Sequence, residues 1–518
     1  MSPRSVVPFV VLLMVAACTA QEAAPSAAPA PSTAPPSTSA AATPSASGQD
    51  ARPALAETRS TKTPELTVAV VGLNRVKGKH LVAQLRLTNT GTEANLSWPG
   101  QMGDNTRPLG QIRWASGIGV LDAQARTWIL PYKPADFPCL CSDEDRDGLG
   151  MFIDGGQSIT VYAVMPAPSG NPSTATVVTP VGPPMPDVPI SDDPPVPAPG
   201  MTIPDPDAEP VTTVTRRLVT PSESLDKTEE TADTGTDLQV NLSSDVLFAL
   251  NKAMLTPRAK AVLARTAKLI DASLGPSVQV DGHADSSGTD AINNPLSARR
   301  AAAVRQALSA LVTRQDVRFR AKGYGSRQPL YSNDTDEGRR RNRRVTVTFA
   351  KPQAASEQPA TSTTSTTSAA PGATGLTATG KADGQPISME VTGLRRLPGG
   401  LGLLTYRIKN EGAAETWFNE LHHAQDWMSF KYQAATNVTL TDVAARRQYL
   451  PGRLQVPAEG GNVDSYCACT DLSGVRLGTE KFGPGAEKVF WNLFALPEGV
   501  ATMKVKIGTF RDLQVPVR

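Results

Sequence analysis

Asp285 and Arg300 are the two residues of this chain best placed to do chemistry. Asp285 follows an alternating apolar run, Val278-Gln-Val-Asp-Gly-His283, that reads as a strand, and Arg300 lies in a helix-forming stretch just beyond it. An acid and a base a few ångström apart suit a zwitterion, one carbon bearing both an ammonium and a carboxylate. Charge-assisted pairs there supply energy, and a guanidinium gripping a carboxylate through two nitrogens supplies orientation. Elsewhere, two Cys-x-Cys pairs stand out, Cys139/Cys141 and Cys467/Cys469. After the first comes Asp143-x-Asp145-x-Asp147-Gly148 with Asp154 at the twelfth position, a calcium-loop spacing without flanking helices. It makes a structural calcium a minor expectation; no other cofactor is expected. With four histidines and no Gly-x-Ser-x-Gly, His-Glu-x-x-His or phosphate-binding glycine loop, nothing points to an enzyme.

Around Asp285 and Arg300 four motifs follow in order: GHADSSG (282–288), Asn293-x-x-Leu-Ser-x-x-Arg300-Ala301, GYGSRQPL (323–330) and Gly338-Arg-x-x-Asn-Arg-Arg-Val345. This pattern, spanning about 110 residues, resembles the OmpA/MotB-type peptidoglycan-binding domain. The resemblance implies non-covalent binding to the diaminopimelate of the stem peptide, with Asp285 on the ammonium and Arg300 on the carboxylate. It also implies that Asn251, Ser287, Asn293 and Arg343 line the pocket. His283 reads as structural, holding the strand end. Two departures, Ala284 for a usual Thr and Pro295 within the binding helix, remove neither charged partner.

The elements that must hold these residues are those of a small α+β domain over 237–350. DVLFAL (245–250), SVQVDGH (277–283), VRFRAKGYG (317–325) and VTVTFA (345–350) read as strands of a mixed sheet. Helices cover one of its faces. One helix follows Thr256 as N-cap and Pro257, with Val262, Leu263, Leu269 and Ile270 inward; the other starts at Asn294-Pro295, with Val304, Leu308, Leu311 and Val312 inward.

Two all-β regions, 64–190 and 385–518, flank it and answer one another in order. VAVVGLNRV (68–76) matches MEVTGLRRL (389–397), LRLTNTG (85–91) matches YRIKNEG (406–412), and the Cys-x-Cys pairs correspond. The spacing predicts duplicated antiparallel β-sandwiches. Exported thiols oxidise, leaving three arrangements open: a ring closed within each Cys-x-Cys, bridges between the copies, or dithiols. Either sandwich could hold an unidentified protein or ligand.

The chain begins as an export signal, Arg4 then Val6–Val15, and Val15-Ala-Ala-Cys18 looks like a lipoprotein site with Cys18 acylated. Residues 19–63, rich in Ala, Pro, Ser and Thr, read as a disordered stalk reaching on the order of 100 Å. Disordered linkers are expected over 191–236 and 351–384. The chain carries a net charge of +2, but 237–350 holds a surplus of eight Lys and Arg over Asp and Glu. This suits an anionic wall or a solvated basic face; the arginine run 339–344 is not read as a nucleic-acid patch, because it abuts the last strand and the chain opens on a lipoprotein signal. The sum is an exported lipoprotein, anchored in a cell or outer membrane and facing peptidoglycan, that ties membrane to wall. The alternative is a receptor whose sandwiches bind the functional partner while the central domain only anchors it.

Overall fold

A computed structural model describes residues 50–518, apart from 93–94, 107–112, 353–375, 424–433 and 458–462. The leader, Cys18 and the stalk up to residue 49 lie outside the described residues, as does most of the expected linker 351–384. The described residues form one compact unit. No helix among the described residues is long and apolar enough to cross a membrane.

The central region is a six-stranded ladder, β1 (Val211–Ser224), β2 (Glu229–Asp233), β3 (Asp237–Ser243), β4 (Ser277–His283), β5 (Arg318–Gly325) and β6 (Arg344–Ala350), in the order β1-β2-β3-β6-β4-β5. All neighbours are antiparallel except β4 and β5. Helices α1 (Ser244–Leu247), α2 (Pro257–Asp271), α3 (Asp290–Leu311) and α4 (Asp336–Asn342) complete it. Alternation decides the layers. Val240 and Leu242 of β3, Val278 and Val280 of β4, and Val345, Val347 and Phe349 of β6 share a core with Val262, Leu263 and Ile270 of α2 and Val304 and Leu308 of α3. Thr256 caps α2 as expected, its hydroxyl accepting from the Ala259 N–H at 3.3 Å.

Two expectations for this region fail. Residues 245–250 form a single helical turn and a bend rather than a strand, because the alternating residues 238–242 just before them already supply the strand that pairs with β6. Helix α3 begins at Asp290, four residues before the Asn294-Pro295 pair expected to open it; Pro295 sits in its second turn.

On the N-terminal side a four-stranded sheet (Ala56–Arg59, Leu66–Val76, His80–Asn89, Ser158–Pro166) faces a second sheet containing Gly119–Asp122, Thr127–Pro134, Thr174–Val178 and Met185–Pro189, across one apolar core. On the C-terminal side Thr377–Ala382, Gln385–Leu397, Leu401–Asn410 and Glu487–Ala495 repeat that order and face Val438–Asp442, Thr502–Ile507 and Leu513–Pro516. The two four-stranded sheets carry their register shift at matching places, Val70/Gly72 and Val391/Gly393.

The boundaries differ from those read in the sequence. Ala56–Arg59, assigned to the stalk, pairs with Leu66–Val76, and Thr377–Ala382, assigned to a linker, pairs with Gln385–Leu397. The larger correction concerns 191–236. Strand β1 lies inside it and is hydrogen-bonded to all three regions: to Thr127–Pro134, to β2, and to Arg447–Tyr449 and Arg453–Pro457. Leu218 of β1 is fully buried in a cluster with Trp128 and Leu130 from one flank and Leu401, Leu454, Trp491 and Leu493 from the other. Asp233 at the end of β2 accepts from Arg126 at 2.9 Å and Lys351 at 2.7 Å. The flanking regions are therefore packed on the centre rather than strung on flexible connectors.

Candidate functional site

Strand β4 ends at His283 and the chain turns at once, leaving Asp285 at the carboxyl end of the parallel β4–β5 pair. The next helix lies unusually close. A side-chain carbon at Gly282 would fall 2.8 Å from the Ser297 carbonyl carbon, and one at its neighbour Gly323 would fall 2.6 Å from the Ala298 Cα. Glycine at both positions lets the α3 backbone rest on the strands. The Ser297 hydroxyl then accepts from the Gly325 N–H at 3.0 Å, fixing the helix lengthwise. One turn further along α3, Arg300 is held over the end of the sheet.

Asp285 is 5% exposed. Its Oδ1 accepts from the Ser287 N–H at 2.9 Å, and its Oδ2 accepts from Arg343 Nη1 at 2.6 Å. Asn293 Nδ2 donates to the Ser287 carbonyl at 2.9 Å and to that of Asp285 at 3.4 Å, tying helix and loop together. Arg343 also donates through Nε and Nη2 to Asp245, at 3.0 and 2.8 Å. Arg300, 7% exposed, is engaged differently. Its Nε donates to the Lys252 carbonyl at 3.1 Å and its guanidinium lies 5.2 Å from the Phe248 ring centre. Among the described residues no acid pairs with it and its terminal nitrogens have no protein acceptor. Asn251, exposed and left-handed (φ 55°), adjoins Lys252 in the same bend.

The structure thus gathers Asp285, Ser287, Asn293 and Arg343 into one bonded network, with Arg300 beside it and Asn251 on the neighbouring bend. Asp285 and Arg300 do not pair with each other. Burial lowers the proton affinity of Arg300; Asp245 and Asp285 oppose that and Arg343 adds to it. Arg343 is shifted the other way, chiefly by its bonds to Asp245. The result is a buried carboxylate and, beside it, a guanidinium whose terminal nitrogens have no protein acceptor among the described residues. Sequence reasoning missed Asp245, Phe248 and the Lys252 carbonyl, all in or beside the stretch misread as a strand. It also missed Asn342, whose side chain accepts from Leu330 and Tyr331 N–H groups at 2.8 and 3.0 Å and donates to Asn333. Asn333 in turn accepts from Ser286 at 3.1 Å, bracing the Asp285 loop.

His283 is buried and stacked on Tyr324, ring centres 5.4 Å apart, and its Nδ1 has no partner among the described residues. Burial, then the charge of Arg344, pushes its pKa down to about 3. Between pH 3 and 6.5 the unfolded chain holds a proton there that the native chain refuses. Stability present above pH 6.5 is therefore lost as the pH falls, by about 2–3 kcal/mol at pH 4.5. In urea titrations at pH 7 and 4.5, His283→Phe should lose less stability than the wild type by that amount. Equal losses would remove His283 from the acid limb.

The arginine run is no solvated patch. Arg339 pairs with Asp336, Arg340 with Glu337 at 2.7 Å, Arg341 with Glu223 at 2.9 Å, and Arg344 is buried. In the flanks, Cys139 is bonded to Cys141 and Cys467 to Cys469. The acidic loop closes on itself: Asp143 Oδ1 accepts from the Asp145 and Arg146 N–H groups, and Asp147 Oδ2 accepts from the Asp143 N–H. No set of three ligand-type residues among those described, Asp154 included, is arranged to hold a metal.

The model of the OmpA family matches residues 247–343. Among curated proteins the chain is similar to outer membrane porin F of Pseudomonas aeruginosa, 40% identical over 106 residues, 20% of this chain and 30% of that one. It is 34% identical over 119 residues to the putative lipoprotein YfiB of Escherichia coli, 22% of this chain and 72% of YfiB. It is also 34% identical over 116 residues to the peptidoglycan-binding protein ArfA of Mycobacterium bovis, 22% of this chain and 35% of ArfA. The chain spans about a third of the length of the first curated relatives it matches.

Proposed function

Because the chain belongs to the OmpA family, we propose that it is a non-enzymatic envelope protein that binds peptidoglycan without covalent chemistry at the Asp285/Arg300 site. The observation that carries this is Arg300: a buried guanidinium with no acidic partner and free terminal nitrogens among the described residues, beside a buried carboxylate. Leaving a buried cation unpaired costs stability, and a bound carboxylate would offset that cost. The name of ArfA, a relative over this region, points the same way.

In this reading the free end of a diaminopimelate residue enters with its ammonium on Asp285 and its carboxylate on Arg300. Asn251, Ser287, Asn293 and Arg343 frame its backbone. A lipid on Cys18 would fix the other end of the chain to a membrane, and the flanking regions, read as duplicated β-sandwiches, would hold the binding site in a rigid body on the stalk. Co-sedimentation with diaminopimelate-type sacculi tests the reading on the chain from residue 47 onward. The wild type should pellet, and Asp285→Ala and Arg300→Ala should each bind about 10- to 30-fold more weakly, the loss of one charge-assisted contact. A wild type that stays in the supernatant would remove the reading.

A further inference from the structure

Arg343 and Arg300 are both cations at this site, yet one is fully engaged and the other is not. Arg343 commits Nε and Nη2 side-on to Asp245 and reaches Asp285 with Nη1 alone. Asp285 keeps Oδ1, which accepts only the Ser287 N–H, open to a further donor. The carboxylate of Asp245 therefore decides how much of Asp285 an incoming ammonium can use. Without it, the Arg343 fork, still within reach, would close on both oxygens of Asp285, because a bidentate pair is the favoured geometry for these two groups. The protein's own guanidinium would then occupy the ammonium position.

We propose that Asp245 is a positioning residue that sets the site's selectivity for a zwitterion by restraining Arg343. The inference rests on the peptidoglycan reading. Asp245 lies on the single turn α1, outside the Asp285 loop and outside α3, and its side chain is 44% exposed, so its loss opens no hole in the core. Charge balance points the same way. Asp245 and Asp285 together match Arg300 and Arg343, so the empty site is neutral and a ligand of no net charge enters without leaving a surplus. With Asp245 removed the cluster carries one extra positive charge, which favours an anion and disfavours an ammonium.

Titration calorimetry with two muropeptides, one with the free side-chain ammonium of meso-diaminopimelate and one with that amine acetylated, separates the outcomes. The wild type should prefer the free amine. Asp245→Ala should bind the free-amine form about tenfold more weakly while binding the acetylated form as well as or better than the wild type, so that the preference collapses. Asp245→Glu should restore it. In an Arg343→Ala background, Asp245→Ala should have a clearly smaller effect on the preference, because the residue it restrains is gone and only its charge is lost. An equal loss on both ligands, an unchanged preference, or an undiminished effect without Arg343 would each overturn the proposal while leaving the peptidoglycan reading intact. A wild type that binds neither muropeptide would overturn both.

Discussion

Adding one methyl group at Gly282 is expected to cost at least about 3 kcal/mol of stability and to weaken sacculus binding at temperatures where the variant is still folded. The added carbon would lie 2.8 Å from the Ser297 carbonyl carbon, closer than any side-chain carbon tolerates, and the obstacle is backbone that cannot rotate aside. Relief requires α3 to lift off β4. Overpacking of that kind costs about 1–3 kcal/mol when side chains give way and more when a helix must move. The lift also breaks the bond from Gly325 to the Ser297 hydroxyl. Arg300 lies three residues after Ser297 on the same rigid helix, whereas Asp285 is tied to the strand end, so the lift separates the two charges. Thermal melts and sedimentation at low temperature measure the two effects separately. Gly100→Ala is the control, because nothing lies within 4 Å of a side-chain carbon there, and it should be close to neutral. A Gly282→Ala protein with the melting temperature of the wild type would show that the helix does not rest on the strand.

That coupling was half legible in the sequence. The strands 277–283, 318–325 and 344–350 showed their alternation because each has one apolar face on the helices and one polar face away from them. The cap at Thr256 and the inward residues of α2 follow from local rules and fell where those rules place them. What pattern could not show is proximity. Nothing in Gly282 or Gly323 taken singly says that α3 lies on both, and nothing in Asp245 says that it holds an arginine 98 residues away. The misreading of 245–250 has the same root: Val246, Leu247, Phe248 and Leu250 have strand composition, but Leu247 and Phe248 are buried by a turn against α2 while Leu250 is left exposed. Strand β1 is the extreme case. Its partners come from residues 127–134, 230–233, 447–449 and 453–455, so its two faces change from solvent to core along its length. A mixed pattern set among Pro, Asp and Thr reads as a linker because no single period runs through it.

Leu218→Asp addresses that strand and should have the largest effect of any single substitution considered. Were residues 191–236 a solvated connector, the change would shift stability by no more than about 0.5 kcal/mol, as surface substitutions do. In the structure Leu218 has no exposed surface and packs among leucines and tryptophans contributed by both flanking regions. An aspartate there forfeits the leucine's burial and places a carboxylate where its apolar neighbours offer no cation, a combined loss of more than about 4 kcal/mol. The pattern of the loss carries more information than its size. Because β1 is hydrogen-bonded to each region and Asp233 binds Arg126 on one side and Lys351 on the other, the wild type should melt in one calorimetric transition. Leu218→Asp should either lower that whole transition or split it into separate ones. Trp128 and Trp491, which share the cluster with Leu218, should report the change in fluorescence before any loss of secondary structure. An unshifted transition would return 191–236 to a tether, with the binding site free to move relative to its neighbours. A shifted or split one means that β1 gives the Asp285/Arg300 site a fixed orientation on the flanking regions.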